Sequence, residues 1–440
     1  MGFLPGLAYT AERPLIELTA DAGKPVLSWP ADAEGYVLDM ASYLSPQTNN
    51  WTTHNVTAVS VNTKQQAVLS GIVDRAFYRL RDSRFRFERV NGPLTLNGFG
   101  RGLFANVMIY SNEVTATYQV APVDSFREKH LYYQVFNRNL SPVEGEQRAI
   151  DVNANTYYNW GGDLGDHKFT MMDDKIYMVF LPVDGSEAKL LKYTRDFTHL
   201  LGPRNIGLTS PVERPADMGF AADGMNIYPQ FFYQPTTNPE DWGASLYQVN
   251  SQLVEMKHVN VEPDAGSFST GSALDFIPAG GMGSTDDRMQ IIGTNTRDLT
   301  FTGLHSIHTF GVRVNLQPIP GSQREIISGS HGFQVYFPTG ASWNEAHDLM
   351  VVGYTMEANP TNFPGAELGP SFFRVFDRDW QVLDTVPLNQ GQVAMRVIVQ
   401  TQGNDIYVVY DEMEKDPVQS PASRARIEHY RISSLPPDDP

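Results

Sequence analysis

Six carboxylates carry most of the chemistry this chain could offer: Asp163, Asp166, Asp275, Asp286, Glu345 and Asp348. Each falls on or beside a short apolar segment that reads as a strand, so a suitable fold could gather them around one opening. Two such groups, one acid and one base or nucleophile, are what cleavage of a glycosidic bond requires. The signature motifs of enzymes that work this way are missing. An Asp at the start of a strand also serves as a turn former, bonding its own backbone. No Ser-His-Asp set with a nucleophile elbow is present. His305 and His308, three apart, would point to opposite faces of a strand and make poor joint metal ligands.

Aromatic residues are the second resource. Tyr157, Tyr158, Trp160, Trp242, Trp343 and Phe363 stand among Asn, Asp and Gly rather than in apolar runs. Sugars lie on aromatic faces flanked by such hydrogen-bonding groups. Large aromatics also wedge between packed sheets, and the composition allows both readings. Asp151, Asn153 and Asn155 alternate like the opening of a calcium loop, without the Gly and the distant Glu that complete one. Calcium is thus the one cofactor hinted at, and none is required. Gly161-Gly162-Asp163 and Gly280-Gly281 are turn glycines outside any phosphate-loop context.

The whole chain narrows these options. A net charge of −17 with no basic run argues against a phosphate backbone or an anionic membrane as partner. It suits solubility outside the cell. The absence of cysteine excludes disulfides, zinc–thiolate sites and thiol nucleophiles. No stretch is long and apolar enough to span a bilayer, and Met1 to Ala11 has neither the basic start nor the apolar run of a signal peptide. An extracellular or surface location is therefore expected through a removed leader or another route, with a virion as the alternative.

The elements that must position these residues are strands. At 440 residues two or three domains are expected, and 36 Gly with 29 Pro fit many strands joined by many turns. Residues 12–82, after an extension of 1–11, hold seven short alternating segments, the pattern of a β-sandwich. Leu27-Ser28-Trp29-Pro30, Gly35-Tyr36-Val37-Leu38, Trp51-Thr52 and Phe77-Tyr78-Arg79-Leu80-Arg81 resemble fibronectin type III-like modules of bacterial extracellular proteins. That resemblance implies a core role for Trp29 and a spacer or attachment role for the module.

Residues 83–440 repeat. A polar residue, often Asp, precedes a strand of alternating apolar residues at Asn106, Asp174, Asp223, Asp287, Asp348 and Asp405. A second strand follows each, beginning at Leu131, Leu191, Leu246, Thr309, Phe372 and Ile427. Four strands per unit and six units predict a six-bladed β-propeller. The last unit runs from Ile427 into Pro436-Pro437-Asp438-Asp439-Pro440 without a fourth strand, while 84–90 alternates strictly with no partner of its own. That early segment is expected to close the ring as the outer strand of the last blade.

The second-to-third connections, such as Gln234–Trp242, Glu357–Glu367 and Glu412–Arg424, are long, whereas the third-to-fourth turns are short. Elaborated loops on one face of a rigid scaffold are where binding residues are placed. The leading expectation is a surface protein that binds a polysaccharide or a surface protein through that face, without chemistry. A propeller glycoside hydrolase or lyase using the six carboxylates, and a structural part of a surface layer or virion, are the alternatives.

Overall fold

Alternation of β-branched and aromatic residues with polar ones governs the computed structural model, which is built from strands. It describes residues 17–21, 24–30, 36–41, 52–53, 59–61, 64–68, 77–82, 85–97, 101–121, 130–143, 148–150, 167–180, 188–206, 213–235, 243–261, 267–278, 287–296, 306–327, 333–358, 367–388, 393–413 and 423–434.

The N-terminal part forms two antiparallel sheets. β1 (Glu17–Asp21), β2 (Lys24–Pro30), β6 (Lys64–Val68) and β5 (Val59–Val61) make one; β4 (Thr52–Thr53), β3 (Tyr36–Ala41) and β7 (Phe77–Asp82) make the other. All seven expected segments are strands. Trp29 is buried with Val26, Leu27 and Ala67, as a core residue should be.

Six four-stranded sheets follow. The first holds β9 (Arg101–Tyr110), β10 (Glu113–Ala121), β11 (His130–Asn137) and β12 (Arg148–Ala149). The second holds β13 (His167–Met172), β14 (Lys175–Phe180), β15 (Ala188–Tyr193) and β16 (His199–Ile206). In the third are β17 (Glu213–Ala222), β18 (Ile227–Pro235), β19 (Gly243–Val249) and β20 (Glu255–Val261). The fourth comprises β21 (Ser267–Ile277), β22 (Arg288–Thr296), β23 (Ser306–Arg313) and β24 (Arg324–Ile327). β25 (Phe333–Asn344), β26 (Leu349–Ala358), β27 (Glu367–Asp377) and β28 (Val382–Pro387) make the fifth. The sixth is β29 (Val393–Gln402), β30 (Asp405–Met413), β31 (Ser423–Ser434) and, from the start of the propeller, β8 (Phe85–Thr95).

The inner strands β9, β13, β17, β21, β25 and β29 each lie against the next, and β29 returns to β9, so the ring is closed and six-bladed. Closure is made as the unpaired segment foretold: β8 runs antiparallel to β31, from Phe85 opposite Ser434 to Thr95 opposite Arg426. A buried network backs it. Tyr410 and Tyr430 donate their hydroxyls to the fully buried Glu428 at 2.5 and 2.6 Å, and Arg89 of β8 reaches the same carboxylate at 3.4 Å. Burial, then the Glu428 charge, pushes both tyrosine pKa values up.

One repeat was out of phase. Asn106 lies inside β9, the inner strand, whereas the other five markers open or immediately precede second strands. The turn before β10 is Ser111-Asn112 and has no Asp to mark it.

The blades pack through rings. Tyr177, Tyr228, Tyr354, Tyr407, Phe180 and Phe231 are fully buried, each burial contributing roughly 2 kcal/mol. Where inner strands touch, bulk is excluded instead: a Cβ on Gly340 would sit 2.6 Å from the Ile398 Cα of the next blade.

Candidate functional site

Chain direction gives the ring two unlike ends. Each inner strand starts at the end that carries the second-to-third connectors, 122–129, 181–187, 236–242, 297–305, 359–366 and 414–422, together with the blade-to-blade links. The opposite end carries the inner hairpin turns and the third-to-fourth turns.

At the short-turn end one device recurs five times. Leu140, Phe197, Leu253, Leu316 and Trp380 adopt left-handed φ of 57–65°. Each donates its N–H to the carbonyl three residues back, on Asn137, Thr194, Asn250, Arg313 and Asp377, at 2.8–3.1 Å. Left-handed backbone costs an apolar residue roughly 1–2 kcal/mol, and burying the side chain beneath the turn offsets it. Asn137, Asn250 and Asp377 also accept two backbone N–H groups each through Oδ1. Asp223 does the same in an inner turn, at 2.7 and 2.8 Å, which is the turn-forming role read from sequence.

Cationic side chains in these turns lace adjacent blades. Arg138 reaches Asp405 at 3.8 Å, and Asp405 also accepts from buried His429 at 2.8 Å. Burial raises the Asp405 pKa, but the His429 hydrogen bond and charge, with Arg138 and Arg431, together hold it low. Arg195 lies 3.5 Å over the Tyr110 ring and 2.9 Å from Glu113 of the preceding blade.

The long-connector end is built differently. The register between inner and second strands breaks on five of the six described pairs: at Thr117/Gln119, Pro215/Asp217, Phe268/Thr270 with Thr270/Ser272, Val335/Phe337 with Pro338/Gly340, and Met395/Ile398. These seven breaks lie at or beyond the middle of the strands, toward the long connectors. Bulges re-aim side chains and concentrate beside sites. Arg396 sits within the last one at φ 53°, a left-handed value for a charged residue inside a strand.

Polar residues are buried at this level. Asn106 donates to the His167 carbonyl at 3.1 Å, and the Gln119 amide meets His167 Nδ1 at 3.1 Å. Asp411, 2% exposed, accepts the Ala105 N–H at 3.2 Å across the blade seam. Arg426 grips Glu412 through two nitrogens at 2.6 and 2.7 Å. Thr355 and Ser371 bond at 2.9 Å. The six inner strands enclose a channel lined by Asn106, Lys168, Phe169, Gly340 and Gln400 among others, with about 30 Å³ open to the centres of water molecules.

The residues selected from sequence divide. Asp163, Asp166, Asp286, Tyr157, Tyr158, Trp160, Trp242, Phe363, Asp151, Asn153 and Asn155 lie outside the described residues. Glu345 and Asp348 are exposed in the β25–β26 turn, at the short-turn end. Trp343 is 8% exposed, packed with Ala341, Met350 and Phe376 in the seam between the fourth and fifth blades. Its neighbours Ser342 and Asn344 look loop-like in sequence but bond Thr401 N and Gly403 O of the sixth blade. Asp275 accepts Trp343 N–H at 2.5 Å and Phe276 N–H at 2.9 Å, and burial pushes its carboxyl up to about 7 against those two bonds. So Asp275, Trp343 and Asp348 do meet, as a seam at the end away from the long connectors. Among the described residues no cluster of three His, Asp or Glu could hold a metal ion.

Asn106, Gln119, His167, Arg396, Asp411 and Glu412 are not among the candidate site residues read from the sequence. They are scattered over several strands, and only ring closure brings them to one level. The polar break at Asn106 in an otherwise apolar run was the available signal.

No protein-family model matches the chain, and no curated protein matches it. Among solved structures, phage phi92 endosialidase is similar over 81% of this chain and 70% of that chain, with a TM-score of 0.51 and 6% identity. The subtype N11 neuraminidase-like protein of A/flat-faced bat/Peru/033/2010 (H18N11) matches over 79% and 92%, with a TM-score of 0.47 and 9% identity. The GH93 α-L-arabinofuranosidase of Fusarium graminearum matches over 77% and 97%, with a TM-score of 0.47 and 8% identity. At such identities only the endosialidase likeness bears on the argument, and it bears on fold alone. The chain is an all-β protein, an N-terminal sandwich followed by a six-bladed propeller closed by its own first strand.

Proposed function

We propose that this protein binds a polysaccharide, without chemistry, at the long-connector end of the propeller, outside the cell or on a surface. The fibronectin III-like module serves as its attachment. The observation that carries this reading is the coincidence of three features at one end: the long connectors, the register breaks on five strand pairs and the buried polar level. Rigid blades below and variable connectors above divide support from recognition. Trp242 and Phe363 belong to those connectors and supply the aromatic faces that sugars stack on.

The likeness to an endosialidase keeps a glycan-cleaving reading beside it. Against that reading, Glu412 is gripped by Arg426 and Asp411 by a backbone N–H, so neither carboxylate stands ready as acid or base. A glycan array, run with reducing-end release on the same polysaccharides and with or without calcium, tests both. Binding without release, weakened by Trp242→Ala, is expected. Release would overturn the non-catalytic reading, and silence in both assays would leave assembly into a surface layer or virion.

A further inference from the structure

The seam between the fourth and fifth blades, at the short-turn end, carries a surplus of positive charge. Elsewhere the lacing arginines meet acids, Arg138 with Asp405 and Arg195 with Glu113 and Asp174. Here three guanidiniums converge. Arg378 lies 5.5 Å from the Trp343 ring centroid, 3.1 Å from Asp348 Oδ1, and donates to the Pro278 carbonyl at 3.0 Å. Pro278 follows Ile277, whose strand partner is Arg288. Arg324, from the outer strand of the same blade, donates to the Asp379 carbonyl beside Arg378 at 3.0 Å.

Arg288 is partly buried within reach of the Arg378 and Arg324 charges, and its Nε is buried with no hydrogen-bond partner among the described residues. A desolvated guanidinium N–H without an acceptor is unfavourable, and such groups in folded proteins call for an explanation. Asp348 and Asp379 lie among these cations, and burial pushes the seam's third carboxyl, Asp275, toward its neutral form, in a chain whose net charge is −17.

We propose that this seam binds a tetrahedral oxyanion, phosphate or sulfate, between Arg288, Arg324 and Arg378. One bidentate guanidinium saturates one edge of a planar carboxylate; three forks arriving from two strands and a turn suit an anion with acceptors in several directions. Burial lowers the Arg288 pKa, and the Arg378 and Arg324 charges lower it further. A bound anion offsets that mutual repulsion among the three guanidiniums.

Thermal unfolding and calorimetric titration of the full chain in chloride buffer test this, with sodium phosphate, sodium sulfate and sodium acetate as probes. Phosphate and sulfate should raise the unfolding midpoint above chloride or acetate of equal ionic strength. Arg288→Gln and Arg324→Gln should each weaken binding by roughly tenfold or more. Arg324 is exposed, so its variant stays folded even where Arg288→Gln does not. No effect of phosphate beyond ionic strength, or an undiminished effect in Arg324→Gln, overturns the proposal. A monosaccharide sulfate ester that binds tighter than inorganic sulfate identifies the source as a sulfated saccharide; equal affinity identifies the free ion, and either result keeps the site. Trp242→Ala, at the other end of the ring, should leave this binding unchanged, which separates it from glycan recognition.

Discussion

At one end of the ring the same left-handed turn is built five times, and at the other the connectors, seven to nine residues long, differ in composition. The short-turn end spends its polar groups on itself: Asx turns, arginine laces, Asp275 under a backbone N–H. The long-connector end breaks register on five inner strands and buries Asn106, Gln119, His167 and Asp411 at one level. A closed ring needs both blade seams and a free surface. Repetition at one end supplies the seams, so variation at the other need not threaten the fold.

Two tryptophans, both loop-like in sequence, break this comparison most directly. Trp343→Ala should cost about 3–5 kcal/mol in urea unfolding, while the fraction that stays folded binds glycan unchanged. Loss of binding without loss of stability would place recognition at the wrong end. Asp275→Asn comes next. In the folded chain this carboxyl keeps its proton to about pH 7, whereas in the unfolded chain it ionises near 4. The wild type therefore has this contribution in full below about pH 4 and loses it as pH rises through about 7, by about 4 kcal/mol. Unfolding midpoints measured across that range should slope down in the wild type and flatten in the variant; parallel curves would mean that Asp275 ionises normally.

Arg396→Gly sharpens the other half. Glycine adopts φ 53° without strain, so stability should rise by about 1 kcal/mol, while glycan affinity falls. A gain in stability with affinity untouched would make the last bulge a packing feature alone. The smallest expected stability effect belongs to Trp242→Ala, within about 0.5 kcal/mol of wild type, although it should weaken glycan binding most. A large drop in its unfolding midpoint would show that the connector supports the ring.

Much of the architecture was legible because strand and turn signals are local. The alternation of Asp405-Ile406-Tyr407-Val408 or of 84–90 needs no partner to be recognised, and a missing fourth strand after Ile427 pointed to its replacement. The first blade was misphased because Ser111-Asn112 turns without an Asp. The turn ending in Leu140, Phe197, Leu253, Leu316 and Trp380 went unread. Its shared property is a left-handed backbone beneath a side chain that is buried in four turns and partly buried at Trp380, and the residue types differ.

The sites were less legible. In sequence Trp343 reads equally as a binding or a packing aromatic, because its flanking Ser342 and Asn344 bond across a seam that exists only once the sixth blade lies beside the fifth. Arg288, Arg324 and Arg378 are far apart in the chain and unremarkable singly. By itself the sequence determined the strands, their number per repeat, the six units and the strand that closes them, because hydrophobic period and turn chemistry act within a few residues. Only the tertiary structure decided which polar residues share a level, which tryptophan is core and where positive charge accumulates. Burial and electrostatics are set by neighbours in space, and ring closure alone determines who those neighbours are.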